Sequence, residues 1–90
     1  MLHVTAEEAL EHIRGYARAW RIAFSPHARR RMRQRHVRPE DVRHALVTAK
    51  RCTPSADGEG RWRVPSADLD GDDLVCIVVI EAGLVVVTVF

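Results

Sequence analysis

The hydrophobic repeat changes once, near Arg51, and that change constrains the fold more than anything else in these 90 residues. Before it, apolar side chains recur every three to four positions, the period of an amphipathic helix. After it, they recur at every second position or run on unbroken, as strands do. Helices followed by strands imply an α+β chain, with N-terminal helices packed on a C-terminal antiparallel β-sheet. The length suits one domain, residues 1–90. A chain of this size buries about 60–65% of the surface it exposes when unfolded, so the core has little surplus.

Thr5-Ala6-Glu7-Glu8 reads as a capping box opening a helix over 6–19. Leu10, Ile13, Ala17 and Trp20 form its expected buried stripe. Residues 21–24 alternate and suit a short strand or an extended link. Ser25-Pro26 caps and starts a second helix over 26–35, with Ala28 and Met32 facing the core. His36-Val37-Arg38 breaks it, and Pro39-Glu40-Asp41 opens a third helix whose buried face is Val42, Ala45, Leu46 and Ala49. Val37 is placed to staple onto Val42. Strands are expected over 51–55, 61–67, 74–81 and 84–90, with turns at 57–60 and 69–73. Pro65 marks an edge or a bulge. Ala82-Gly83 reads as a two-residue hairpin connection. The last two strands are apolar almost throughout, so both their faces should be covered: one by the helices, the other by a partner protein or a second copy of the chain.

The net charge of +2 conceals an asymmetry. Up to Thr53 the chain holds twelve Arg and Lys against five acids; from Pro54 onward it holds two against seven. A basic half of +7 joined to an acidic half of −5 points to a polyanion or an acidic protein as partner. The longest apolar run, residues 74–80, falls far short of the roughly 20 residues that a membrane span needs. The N-terminus lacks the basic start and apolar stretch of a secretory leader. Cys52 and Cys76 read as reduced thiols, so a cytoplasmic setting is expected.

The segment richest in chemistry is His27-Ala28-Arg29-Arg30-Arg31-Met32-Arg33-Gln34-Arg35. On a helix His27, Arg31 and Arg35 fall four apart and form one stripe, beside the buried Ala28 and Met32. Imidazole, titrating near about 6.5, can take or give a proton at neutral pH. Guanidinium groups present a planar fork to phosphate oxygens. That combination suits a ribonuclease needing no metal, in which a base takes the 2′-hydroxyl proton and cations stabilise the crowded phosphate. The alternative is structural: Arg31 and Arg35 tied to acids such as Asp41 or Asp68, and His27 capping a helix. A helix-turn-helix over the second and third helices is disfavoured. Its turn lacks glycine, and few polar base readers remain: Arg43, His44, Thr48 and Lys50. His27, His36 and His44 do not share a face at metal-ligand spacing.

The pattern His27-Ala28-x-x-Arg31-Met32-x-x-Arg35-x-Val37, followed by Asp41-Val42, resembles the opening motif of the domain of unknown function 4258 family. The closing apolar strands, with Thr88, resemble that family's final hairpin, and the N-terminal helix and length are similar to small relatives of the MqsR toxin group. The resemblance implies a RelE/ParE-like fold and a type II toxin that cleaves messenger RNA, free or on the ribosome, held by a cognate antitoxin. His36 stands where the family commonly has glycine, a departure that makes a left-handed turn costlier. The leading expectation is therefore a toxin-like, metal-independent endoribonuclease. His27 would serve as acid or base, Arg31 and Arg35 would hold the scissile phosphate, and Arg30, Arg61 and Arg63 would guide the RNA. The rival is a non-catalytic module binding nucleic acid or an acidic protein through the same basic surface. No cofactor is implied.

Overall fold

The first helix begins where its cap is written. In a computed structural model, which describes residues 4–56 and 58–90, Thr5 Oγ1 accepts the Glu8 amide at 3.1 Å and Glu8 Oε1 accepts the Thr5 amide at 3.3 Å. Three residues of the leader reading, 1–3, and Asp57 of the first expected turn lie outside the described residues. Helix α1 spans Ala6–Arg18 and buries Ala9, Ile13 and Ala17, with Leu10 and Tyr16 packed beside them.

Trp20 does not join that stripe. Arg21 N donates to Tyr16 O at 2.9 Å and Trp20 N to Ala17 O at 3.0 Å, a Schellman closure. The closure sets Trp20 in the left-handed region at φ 58°, which swings its ring off the helical face and leaves it 49% exposed. Helix α2, Pro26–Arg35, ends the same way: Val37 N donates to Met32 O at 2.8 Å, and His36 sits at φ 56°. A left-handed residue with a side chain costs about 1–2 kcal/mol, so the missing glycine at position 36 is a real strain.

Helix α3 covers Pro39–Thr48 and buries Val42, Ala45 and Leu46, with Ala49 buried just beyond its end. It lies antiparallel to α1, and each supplies an arginine to the other's C-terminal carbonyls. Arg14 Nε donates to Ala49 O at 2.7 Å. Arg43 donates through Nε to Ala17 O at 3.1 Å and through Nη2 to Arg18 O at 2.9 Å. These bonds satisfy acceptors that a helix end leaves orphaned. At the start of α3 the buried Asp41 carboxylate accepts the Arg38 amide at 3.0 Å and, across the fold, the Leu69 amide at 3.2 Å.

The sheet has five strands in the order β1-β5-β4-β3-β2: β1 Ile22–Phe24, β2 Thr53–Pro54, β3 Arg61–Ala67, β4 Asp73–Ile80 and β5 Leu84–Val89. Strands β2 to β5 form the expected antiparallel sheet. The link at 22–24 is a strand that pairs parallel to β5 at the edge, so the sheet is mixed. Two helices and three strands intervene between β1 and β5, ample chain for the crossover that a parallel pair requires. The helices lie on one face, meeting Val64, Leu74, Cys76, Val78, Leu84, Val86 and Val89 in one core. A register shift at Ile77/Val78 lets Val89, rather than Thr88, return to that core after Val86. The other face carries Arg61, Arg63 and Pro65 opposite Val79, Ile77 and Val75. Ile77 is buried there outside the helix-side core.

The β4–β5 connection is one residue longer than expected. Glu81 leaves the ladder, so the loop is Glu81-Ala82-Gly83, with Ala82 at φ 42° and Gly83 at φ 139°. A Cβ at Gly83 would also stand 3.2 Å from the Arg21 carbonyl, so glycine is required twice over. Both cysteines are free and buried, and burial pushes the Cys76 thiol up to about 12. Among the described residues no helix is long and apolar enough to cross a membrane.

Candidate functional site

Strand β1 stops at Phe24, while β5 runs on to Val89, so the end of β5 has a bare edge. Helix α2 takes over there. Ser25 N donates to Val86 O at 3.0 Å, and Ser25 Oγ donates to Val87 O at 2.7 Å while accepting the Ala28 amide at 3.0 Å. Arg31 Nε donates to Val89 O at 3.4 Å, and its guanidinium carbon lies 5.7 Å from the centre of the Phe90 ring. The helix is thereby docked against the sheet edge through a serine cap and an arginine, and Ala28 and Met32 are buried beneath it.

This placement decides how each expected residue stands. His27 is exposed and makes no hydrogen bond among the described residues; the cap of α2 is Ser25. Arg31 is half-buried, and its Nε is committed to a backbone carbonyl while its terminal nitrogens make no bond among the described residues. Arg35 and Arg30 are exposed and unpaired among the described residues. The acids suggested as their tethers are engaged elsewhere. Asp41 is held by Arg38, 3.6 Å from its Nε in the one ion pair among the described residues, and by the Leu69 amide. Asp68 Oδ1 accepts the Asp70 and Asp72 amides, each at 2.9 Å. The helix rise separates His27 from Arg35 by roughly 12 Å along the axis, so one phosphate is reached by neighbours in the stripe and not by all three at once.

Arg61 and Arg63 do not join this stripe. Both stand on β3, two strands from β5, on the face away from the helices, because Val64 of the same strand points into the core. Arg61 folds towards the turn at Gly58, where its Nε would be 3.2 Å from a Cβ. The helix-turn-helix reading fails on geometry: Arg43 is spent on α1 carbonyls, and Thr48 Oγ1 donates to His44 O at 2.7 Å.

Two features escaped the sequence reading. The Asp68, Asp70 and Asp72 carboxylates gather within 4.8 Å at the β3–β4 turn, a spacing already visible as Asp-x-Asp-x-Asp. Asp68 there serves as the acceptor that shapes the turn. Asp41 shows no such signature. Its carboxylate is held below the usual range, chiefly by the Arg38 amide and further by the Leu69 amide, against the opposing effect of burial.

With the motif helix docked on the closing strands, the stretch from Phe24 onward is the unit to compare with known families. The model of the domain of unknown function (DUF4258) matches residues 24–90. The chain belongs to the DUF4258 family. The match covers α2, α3 and strands β2 to β5 and leaves α1 outside. No curated protein and no solved structure matches the chain. Within the DUF4258 unit the His27/Arg31/Arg35 stripe lies on the helix that seals the edge of the final strand.

Proposed function

We propose that this DUF4258 protein is a toxin-like, metal-independent endoribonuclease acting on messenger RNA, with α2 as its working face. The observation that carries the reading is the state of α2: five arginines, no carboxylate, and an exposed His27, without a bond among the described residues, one turn from an Arg31 pinned through Nε. Pinning by a backbone carbonyl leaves the guanidinium's terminal nitrogens oriented before substrate arrives, which is how a preorganised cation stabilises developing charge on phosphate. In the reaction the 2′-hydroxyl oxygen attacks the adjacent phosphorus and the bond to the 5′ oxygen breaks, giving a cyclic phosphate and a 5′-hydroxyl. His27 serves one proton transfer, as base towards the 2′-hydroxyl or acid towards the departing oxygen, and solvent serves the other. Arg31 and Arg35 bind phosphate oxygens, and Arg30 attracts the backbone. A toxin of this kind is held in check by an antitoxin, whose contact surface would include α2.

The second reading, a non-catalytic module for nucleic acid or an acidic protein, is favoured by one fact: His27 is the only proton-transfer group on α2. Cleavage of single-stranded RNA and thermal melting, measured side by side, separate the two. His27→Ala should lose about 10²–10⁴ in rate with its melting unchanged, because the side chain is exposed and has no bond among the described residues. Arg31→Lys should also fail, since an ammonium cannot reproduce the fork. Full cleavage by a folded His27→Ala protein refutes the catalytic role, and cleavage by no form of the protein leaves the binding module standing.

A further inference from the structure

Trp20 is placed at some cost and is not used by the core. Its backbone is left-handed, a conformation suited to glycine, and its ring is 49% exposed. The ring is nevertheless fixed. Arg43 lies over it, guanidinium carbon 4.8 Å from the ring centre, and is itself tied by two nitrogens to Ala17 O and Arg18 O. Beside the ring is an open groove of about 320 Å³ between the α1–β1 link and the β4–β5 hairpin. Arg21 and Glu81 line it too; Arg21 is anchored to Ala82 O at 2.5 Å and its guanidinium lies 5.5 Å from the Tyr16 ring centre. A rigid, half-exposed indole backed by a fixed cation, with a second arginine and a carboxylate at the groove wall, has the parts of a base-stacking site. The ring offers a π-face, the arginine a phosphate contact, and the carboxylate an acceptor for exocyclic amino groups.

We infer that Trp20 and this groove take an unpaired base of single-stranded nucleic acid. The inference deepens the RNA-directed reading of α2 and rests on it. The two places share one border of the sheet: β1, the edge strand, leads from Trp20 to Ser25, the cap of α2. Five extended residues span roughly 17 Å, a distance that a few nucleotides cover. The base seated on Trp20 would fix the register of the strand relative to His27.

The test is binding of a fluorescently labelled uridine dodecamer to the full chain, read by anisotropy and by tryptophan emission. Trp20→Gly relieves the left-handed strain, so it should melt at or above the wild type, while its affinity falls about ten-fold. Trp20→Phe keeps a ring and should bind within about three-fold of the wild type. Wild-type emission should be quenched on binding, and that quench should vanish in Trp20→Gly. Unchanged affinity in Trp20→Gly overturns the inference, as does a lower melting temperature with unchanged affinity, which would make the indole only a clamp for Arg43. Failure of the wild type to bind the oligonucleotide overturns it as well. A ten-fold loss in Trp20→Gly alongside full cleavage by His27→Ala supports the stacking site while refuting the catalytic role of His27.

Discussion

Asp41→Asn is the substitution whose outcome can be worked most fully from the structure. The carboxylate is 5% exposed and accepts two backbone amides, Arg38 and Leu69, on different oxygens. One bond starts α3; the other ties that helix to the loop after β3. An asparagine retains one acceptor oxygen and turns an NH2 group towards the other amide, so one donor is left buried against another donor. Hydrogen bonds to a charged group contribute about 1.5–3 kcal/mol, and an unsatisfied buried donor costs about 1–3 kcal/mol. A loss of about 2 kcal/mol is expected at pH 7, lowering the melting temperature by roughly 8–16 °C in a domain of this size. The sign of the pH dependence follows from the lowered folded pKa. Asp41 contributes its full stability above the unfolded carboxyl value, about 3.9, and loses it as pH falls through the lower folded value. Urea denaturation of both proteins from pH 7 to pH 3 should therefore show a constant gap above about pH 5 that narrows below about pH 4. A gap that stays constant down to pH 3, or no gap at pH 7, refutes the reasoning.

Two further outcomes follow from the same geometry. His36→Gly should stabilise the protein by about 1 kcal/mol, raising the melting temperature by roughly 4–8 °C, because glycine removes the left-handed strain at φ 56°; no gain on thermal melting would show that the imidazole offsets the strain. If RNA binds through Arg30, Arg31, Arg33 and Arg35 of α2, four neutralised phosphates give a slope of log affinity against log salt of about −3. A slope near −5, measured by anisotropy, would need about seven neutralised phosphates, more than the arginines of α2 can supply, and would refute α2 as the whole interface.

The elements were legible because their signals are local. The Thr5 and Ser25 caps, Pro39 at the start of α3 and the alternation of 61–67 each act within a few residues, and α2 and β3 stand at the bounds their sequence implies. The failures share a cause, which is backbone geometry created by tertiary closure. Trp20 continues the 3.6-residue apolar repeat of α1, yet the Schellman closure turns it outward one residue after the helix yields. Ile22-Ala23-Phe24 is too short to reveal its partner, and only the return of β5 makes it a parallel edge strand. Arg61 and Arg63 stand on the face away from the helices, as the period of two in β3 implies; what the sequence leaves unread is their distance from the α2 stripe, two strands beyond β5. The stripe His27/Arg31/Arg35 was legible as a stripe; the carbonyl that holds Arg31, 58 residues away, was not.

That carbonyl belongs to a wider pattern which changes how the basic half should be read. Arg14, Arg21, Arg31 and Arg43 each donate to backbone carbonyls at helix ends, a hairpin or a strand terminus, and Arg38 pairs with Asp41. Arginine does this well because one nitrogen can bind a carbonyl while the rest of the fork stays free. In a small domain with few polar side chains to close its helix ends, the excess of arginine is partly a means of satisfying orphaned acceptors. The charge asymmetry therefore overstates the surface available to a polyanion. What remains is narrower: Arg18, Lys50 and Arg51 beside the ends of α1 and α3, and the outward arc of α2, which carries no carboxylate and whose Arg30, Arg33 and Arg35 have no bond among the described residues. Arg31 belongs to both sets, closing the edge of β5 through Nε while standing one helical turn from His27. A lysine there could not do both, and that is the physical reason to expect function, if α2 is the working face, to depend on arginine at position 31 and not on positive charge alone.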